Sequence, residues 1–173
     1  MRGVGYQDIP RVAGERDTLI AFLDWQRETL AWKCEGLSDD QLRQRSVPPS
    51  TLSLLGLIRH AADVERNWFR RTLAGENAPS RFSSESDPDG DFDNVATADV
   101  AEAFAAWREE CDQAREIVAA RDLEATGRQR TGREVSLRWI LNHVIEEYSR
   151  HNGHADLLRQ CIDATVGYSR DNP

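Results

Sequence analysis

Residues 136–164 read SLRWILNHVIEEYSRHNGHADLLRQCIDA. Leu137, Ile140, Leu141, Val144, Ile145, Tyr148, Leu157 and Leu158 supply the apolar positions of a helical period. The stretch predicts one long helix from about Ser136 to Ala164. It also carries His143, Glu147, His151 and His154. The first three are spaced i, i+4, i+8, which lays them along one face in successive turns, and His154 follows three residues after His151. A glutamate and a histidine one turn apart can direct an oxygen and a nitrogen at a common centre. A third ligand must then come from another helix.

Three upstream segments carry the same period. From about Arg11 to Glu35, Val12, Leu19, Phe22, Leu23 and Leu30 mark a first helix, with Gly36 as its C-cap. Ser38 and Gln41 form a capping-box pattern that opens a short helical turn before the breaker Pro48, Pro49, Ser50. A second helix is predicted from about Leu52 to Leu73, where Leu54, Leu55, Ile58, Ala61, Ala62, Glu65, Trp68 and Phe69 fill two adjacent stripes. A third follows Thr97 as N-cap and reaches about Arg121 through Val100, Phe104, Trp107, Cys111, Ile117 and Val118. Between the second and third lies SRFSSESDPDGDFDN, residues 80–94, acidic and rich in Ser, Asp and Gly. Its composition predicts a long surface loop, of a length that is often functional or mobile. The turn-rich GRQRTGRE, residues 127–134, leads to the last helix, and no segment reads as a stable sheet. The expected fold class is therefore all-α: one domain over residues 1–173, built as a four-helix bundle with long inter-helix connections.

Length and charge narrow the function classes. At 173 residues the chain suits one domain with its own core, burying roughly 70% of its unfolded surface. A formal charge of −8 sets phosphate backbones and anionic lipid at a disadvantage, so no nucleic-acid or membrane partner is expected. The first residues hold no apolar run of signal-peptide length, and no segment approaches the ~20 apolar residues of a membrane span. The protein accordingly reads as cytoplasmic. Cys34, Cys111 and Cys161 are far apart and lack CxxC spacing, which suits idle thiols better than a disulfide framework or a zinc knuckle.

The one histidine outside the last helix is His60, mid-helix in IRHAADVE. Bundle cores build metal sites from facing helices, and two imidazoles with one carboxylate suit zinc and other divalent first-row metals. Three protein ligands would leave coordination positions open, the mark of a catalytic site. A histidine in an apolar stripe is, however, commonly a hydrogen-bonded core residue, and EExxxH on a helix is commonly a solvated face. Periodicity alone does not choose His151 over His143 or His154.

TLSLLGLIRHAADVERNWFRRTLAGE, residues 51–76, and SLRWILNHVIEEYSRHNGHADLLRQCID, residues 136–163, closely resemble the two signature segments of DinB-like proteins, in the branch related to mycothiol-dependent enzymes. RVAGERDTLIAFLDWQRETLAWKCEGLSDDQL, residues 11–42, extends the likeness over nearly the whole chain. The resemblance implies a metal held by a histidine of the second helix and an [HE]xxxH pair of the last. Carried over, these are His60, Glu147 and His151. Many relatives have histidine where Glu147 stands, so this chain is similar to the His, Glu, His version of mycothiol-dependent maleylpyruvate isomerase. The metal so implied is zinc, with nickel or iron as alternatives.

The resemblance further implies thiol chemistry, in which a low-molecular-weight thiol such as mycothiol or bacillithiol joins an electrophile. Catalysis would act through the metal at His60, Glu147 and His151, with mycothiol as co-substrate, in detoxification or the tailoring of a secondary metabolite. Arg59, Arg150 and Asn152 are candidates for contacting the thiol or the electrophile. His143 and His154 are candidates for orienting the ligands. Trp68, Phe69, Trp139 and Tyr148 read as core, some of them able to line a pocket. Two alternatives stand beside this reading: thiol-dependent cis–trans isomerisation of the maleylpyruvate type, and a non-catalytic metal-binding module that dimerises through helix faces.

Overall fold

The computed structural model describes residues 5–167. Its long elements are helical: α1 (Glu15–Cys34), α3 (Leu54–Glu65) continued by a π-helical segment (Arg66–Leu73), α5 (Val100–Ala119) and α6 (Leu137–Asp163). The short turns α2 (Asp39–Arg43) and α4 (Gly90–Asp93) lie between them. Among the described residues the fold is all-α apart from one two-stranded antiparallel ribbon, β1 (Thr126–Arg128) with β2 (Glu134–Ser136), in register Thr126↔Ser136 and Arg128↔Glu134. No helix among the described residues is long and apolar enough to cross a membrane.

The described residues divide into two compact units, one of residues 5–54 with 145–167, the other of residues 55–144. In the first unit α1 lies along the C-terminal part of α6. Gln26 Nε2 donates to Ser149 Oγ at 2.6 Å, and Asn152 Nδ2 donates to Gln26 O and Oε1 at 3.0 and 2.6 Å. Further along, buried Lys33 pairs with Asp156, and Arg159 Nη1 donates to the carbonyls of Lys33 and Glu35 at 3.0 and 2.8 Å. Both sequence numbers rise together along the contact, so these helices run parallel. Arg159 satisfies carbonyls that the end of α1 leaves without helical partners, and its cation sits at the negative end of that helix dipole.

In the second unit Leu55, Leu57 and Ile58 of α3 are fully buried, as are Leu137, Ile140 and Leu141 at the start of α6. Each such side chain stabilises the fold by about 1.5–3 kcal/mol. The π segment packs against α5 and β1. Gly127 of β1 lies so close that a Cβ there would sit 2.1 Å from the carbonyl oxygen of Thr72, so only glycine fits. Buried Glu110 of α5 accepts from Arg66 Nη1 at 2.6 Å and from Arg81 Nε at 2.8 Å, fastening residues 80–94 to that helix.

Several expectations need correction. The N-cap of α5 is Asp99, whose carboxylate accepts from Glu102 N at 2.9 Å, and Thr97 stands outside the helix. Val12 precedes α1 and is 97% exposed, and Leu157 of α6 is 56% exposed, so neither belongs to the core. Trp139 is likewise at the surface, 45% exposed, whereas Phe69 and Tyr148 are buried as expected. The hairpin replaces what reads as plain turn, because Gly132 at φ 83° reverses the chain between two strands too short to show an alternating pattern.

Candidate metal centre

His60 is the seventh residue of α3, directly after the run Leu54–Arg59 whose burial fixes which way the helix faces. Its Nδ1 is 2.8 Å from Oδ2 of Asp91. A carboxylate in this pair accepts, so a neutral imidazole here carries its proton on Nδ1 and its lone pair on Nε2. The Phe92 ring stacks on the imidazole, centroids 4.7 Å apart at 26°. Asp91 is 4% exposed.

The acidic segment that supplies Asp91 is therefore not a plain surface loop. Asp63, one turn after His60 on α3, accepts from the backbone N–H groups of Arg81, Phe82 and Ser83 at 2.6, 3.2 and 3.0 Å, and from Ser83 Oγ. At its other end Arg59 donates through Nε to Asp91 O and through Nη2 to Gly90 O, both at 2.9 Å. Burial pushes the Arg59 pKa down, and Asp91 and Asp63 oppose that shift by favouring the guanidinium. A Cβ on Gly90 would meet Asp87 Oδ2 at 2.6 Å and Phe82 O at 2.8 Å, so glycine lets the two ends of the segment close on each other. Asp91 and Asp63 escaped the sequence reading; the presence of Asp91 in a Gly-containing loop of functional length was the available signal.

On α6, Glu147 and His151 are half-buried, and Glu147 Oε2 stands 3.5 Å from His151 Nε2. Donors bound at about 2.0–2.2 Å to one tetrahedral ion are roughly 3.3–3.6 Å apart. The pair thus fits two neighbouring positions on a divalent cation without rearrangement. His151 Nδ1 faces His154 Nδ1 at 3.4 Å, a long contact that still occupies the edge remote from Glu147. His60 and His151 are alike in this respect: each has its Nδ1 edge against another side chain, which suits Nε2 for ligation.

The remaining candidates make other contacts. His143 stacks on Trp139, centroids 4.9 Å apart at 17°, and meets Trp68 edge-on at 4.6 Å. Arg150 is exposed and pairs with Glu146, with its Nη1 3.6 Å from Glu147 Oε1. Arg59 and Asn152 are buried, and the hydrogen bonds above place their donors on the 90–91 backbone and on Gln26.

Two of the three cysteines are buried. Burial pushes the Cys34 thiol up to about 12, against the opposing pull of Arg159, so it stays protonated at neutral pH. Cys111 is buried with its Sγ 3.7 Å from Glu65 Oε1, and Cys161 is exposed. Alkylation of the native protein should label Cys161 alone, and all three cysteines only after denaturation; mass spectrometry of the labelled peptides checks this.

The family model described as mycothiol-S-transferase matches residues 18–164, a span that holds every residue of the candidate centre. A search of curated proteins finds none that matches. With 147 of 173 residues, counted from 18 to 164, inside the match, the chain belongs to the mycothiol S-transferase family.

Proposed function

We propose that the protein is a metal-dependent mycothiol S-transferase in which His60, Glu147 and His151 together hold one divalent ion, with zinc favoured and nickel or iron as alternatives. The observation that carries the proposal is the Glu147 and His151 pair, an oxygen and a nitrogen at 3.5 Å on one helical turn. His60, held from Nδ1 by Asp91, offers the third donor in the tautomer that ligation requires.

A divalent cation bound there supplies a positive centre that favours thiolate over thiol at neutral pH. Glu147 contributes one negative charge and the two neutral imidazoles none, which leaves the site a net positive charge for an anionic sulfur. In the transfer the thiol loses its proton, sulfur bonds to the electrophilic carbon, and the leaving group departs with the electron pair of its bond. The nucleophile belongs to the co-substrate, in keeping with the protonated Cys34. Arg150, exposed and next to Glu147, is the best placed of the three candidate polar residues to contact the thiol or electrophile. Three free cysteines suit a reducing compartment, and we place the reaction in the cytoplasm, serving detoxification or metabolite tailoring.

One observation favours a second reading. Glu147 gives the His, Glu, His ligand set that resembles the maleylpyruvate-type isomerase, where thiolate addition to an unsaturated acid is reversed after bond rotation. Assay of the zinc-loaded protein with mycothiol, bacillithiol and glutathione against a haloalkane-type electrophile and against a cis-unsaturated diacid separates the two. Mycothiol conjugation above the metal-free rate is expected. Isomerised acid without conjugate would support the second reading, and rates equal to the metal-free protein with every thiol would leave a binding module.

A further inference from the structure

We infer that Asp91 is a positioning residue of the metal centre, and that the acidic segment 80–94 is folded back on α3 to hold His60 in one tautomer and one ring orientation. The inference rests on the assignment of His60 as a ligand.

A neutral imidazole carries its proton on either nitrogen at similar cost, and a ligand position that needs the Nε2 lone pair is filled only by the Nδ1–H form. Asp91 Oδ2, 2.8 Å from Nδ1, selects that form. Selection has force here because the carboxylate is nearly fully buried, where an acceptor left without its donor is costly. Its other oxygen is engaged too: Phe92 N donates to Asp91 Oδ1 at 3.0 Å, so the carboxylate plane is fixed. The Phe92 ring then closes one face of the imidazole and resists its rotation.

The segment is anchored by residues on the same stretch of α3. Arg59 precedes His60 and holds the backbone at Gly90 and Asp91, while Asp63 follows it and holds the backbone at Arg81 to Ser83. Ligand and orienting carboxylate are thus set in a common frame, with the close approach at Gly90 joining the two anchored ends. A loop that only covered the surface would not need a buried acid aimed at the one histidine of α3.

The test uses the full chain with Asp91→Ala and Asp91→Asn, with zinc alone as the probe. Nitrogen-15 spectra of metal-free protein, taken where the imidazoles are neutral, should show His60 as the Nδ1–H tautomer in the wild type and as a mixture in Asp91→Ala. Zinc affinity should fall roughly 10–100-fold in Asp91→Ala, and less in Asp91→Asn, whose amide oxygen still accepts but carries no charge. Wild-type tautomer and wild-type zinc affinity in Asp91→Ala would overturn the inference. If Asp91→Ala fails to fold, zinc affinity in Asp91→Asn decides, since an unchanged value there also overturns the inference. A wild type that takes up no zinc while its His60 tautomer depends on Asp91 would refute the metal reading and leave the orienting role standing. Zinc uptake that needs His60 but is indifferent to Asp91 would do the reverse.

Discussion

His60→Ala is expected to give a folded, helical protein that no longer retains a divalent metal. The helix around His60 is fixed by Leu54, Leu55, Leu57, Ile58 and Ala62, each at most 1% exposed, and none of these is touched. Their burial, at about 1.5–3 kcal/mol for each large side chain, outweighs the loss of one hydrogen bond and of stacking on Phe92. Alanine also has the higher helix propensity. Asp91 loses its donor, at a cost of about 1–3 kcal/mol, but keeps the bond from Phe92 N. Loss of metal should be far larger, exceeding the roughly 10–100-fold that removal of a supporting residue costs. Metal content after gel filtration and far-ultraviolet circular dichroism check the two halves separately. Collapse of the helical signal when wild-type protein meets a chelator would instead identify a structural ion.

The second large effect is expected at Glu147. Glu147→Gln keeps the shape and removes the charge, so the variant should bind metal weakly and lose mycothiol transfer. Its ion pair with Arg150 at 3.6 Å is also lost, yet a contact to an exposed arginine is worth at most about 1 kcal/mol and cannot account for a loss of that size. Glu147→His restores an uncharged nitrogen donor at the same helical position. Metal binding should recover, and the additional positive charge of the loaded site should hold a thiolate more firmly. The two variants should therefore separate, with histidine retaining the greater transfer rate. Wild-type metal content and rate in Glu147→Gln would remove Glu147 from the ligand set and direct attention to His143 and His154.

The helices were legible because apolar residues at three- and four-residue spacing leave a mark over twenty or more positions. His60, Glu147 and His151 were legible as a candidate set through their helical positions and their family likeness. Asp91 was not. In SESDPDGDFDN every acid has the same composition around it, and what separates Asp91 from Asp87 or Asp93 is the three-dimensional return of the chain to α3. The π-helical continuation after Glu65 was equally hidden, since an added residue per turn preserves the apolar character of Phe69 and Leu73 while altering only their phase. Trp139 shows the converse limit: it occupies a position beside buried Ile140, and its surface location follows from which side of α6 faces outward there.

The parallel pairing of α1 with the end of α6 bears on how the chain is made. Gln26 meets Asn152, and the carbonyls of Lys33 and Glu35 meet Arg159, across sequence separations of 124 to 126 residues. During synthesis α1 leaves the ribosome long before any of these partners exists. Its buried-to-be face, with Leu23, Leu30 and Cys34, must wait in water or in transient company until residues 149–159 have been made. Contacts so distant in sequence close a long loop before they return any stabilisation, which slows folding. Residues 55–144 make their internal contacts within one continuous stretch, whereas the other unit must join two segments distant in sequence.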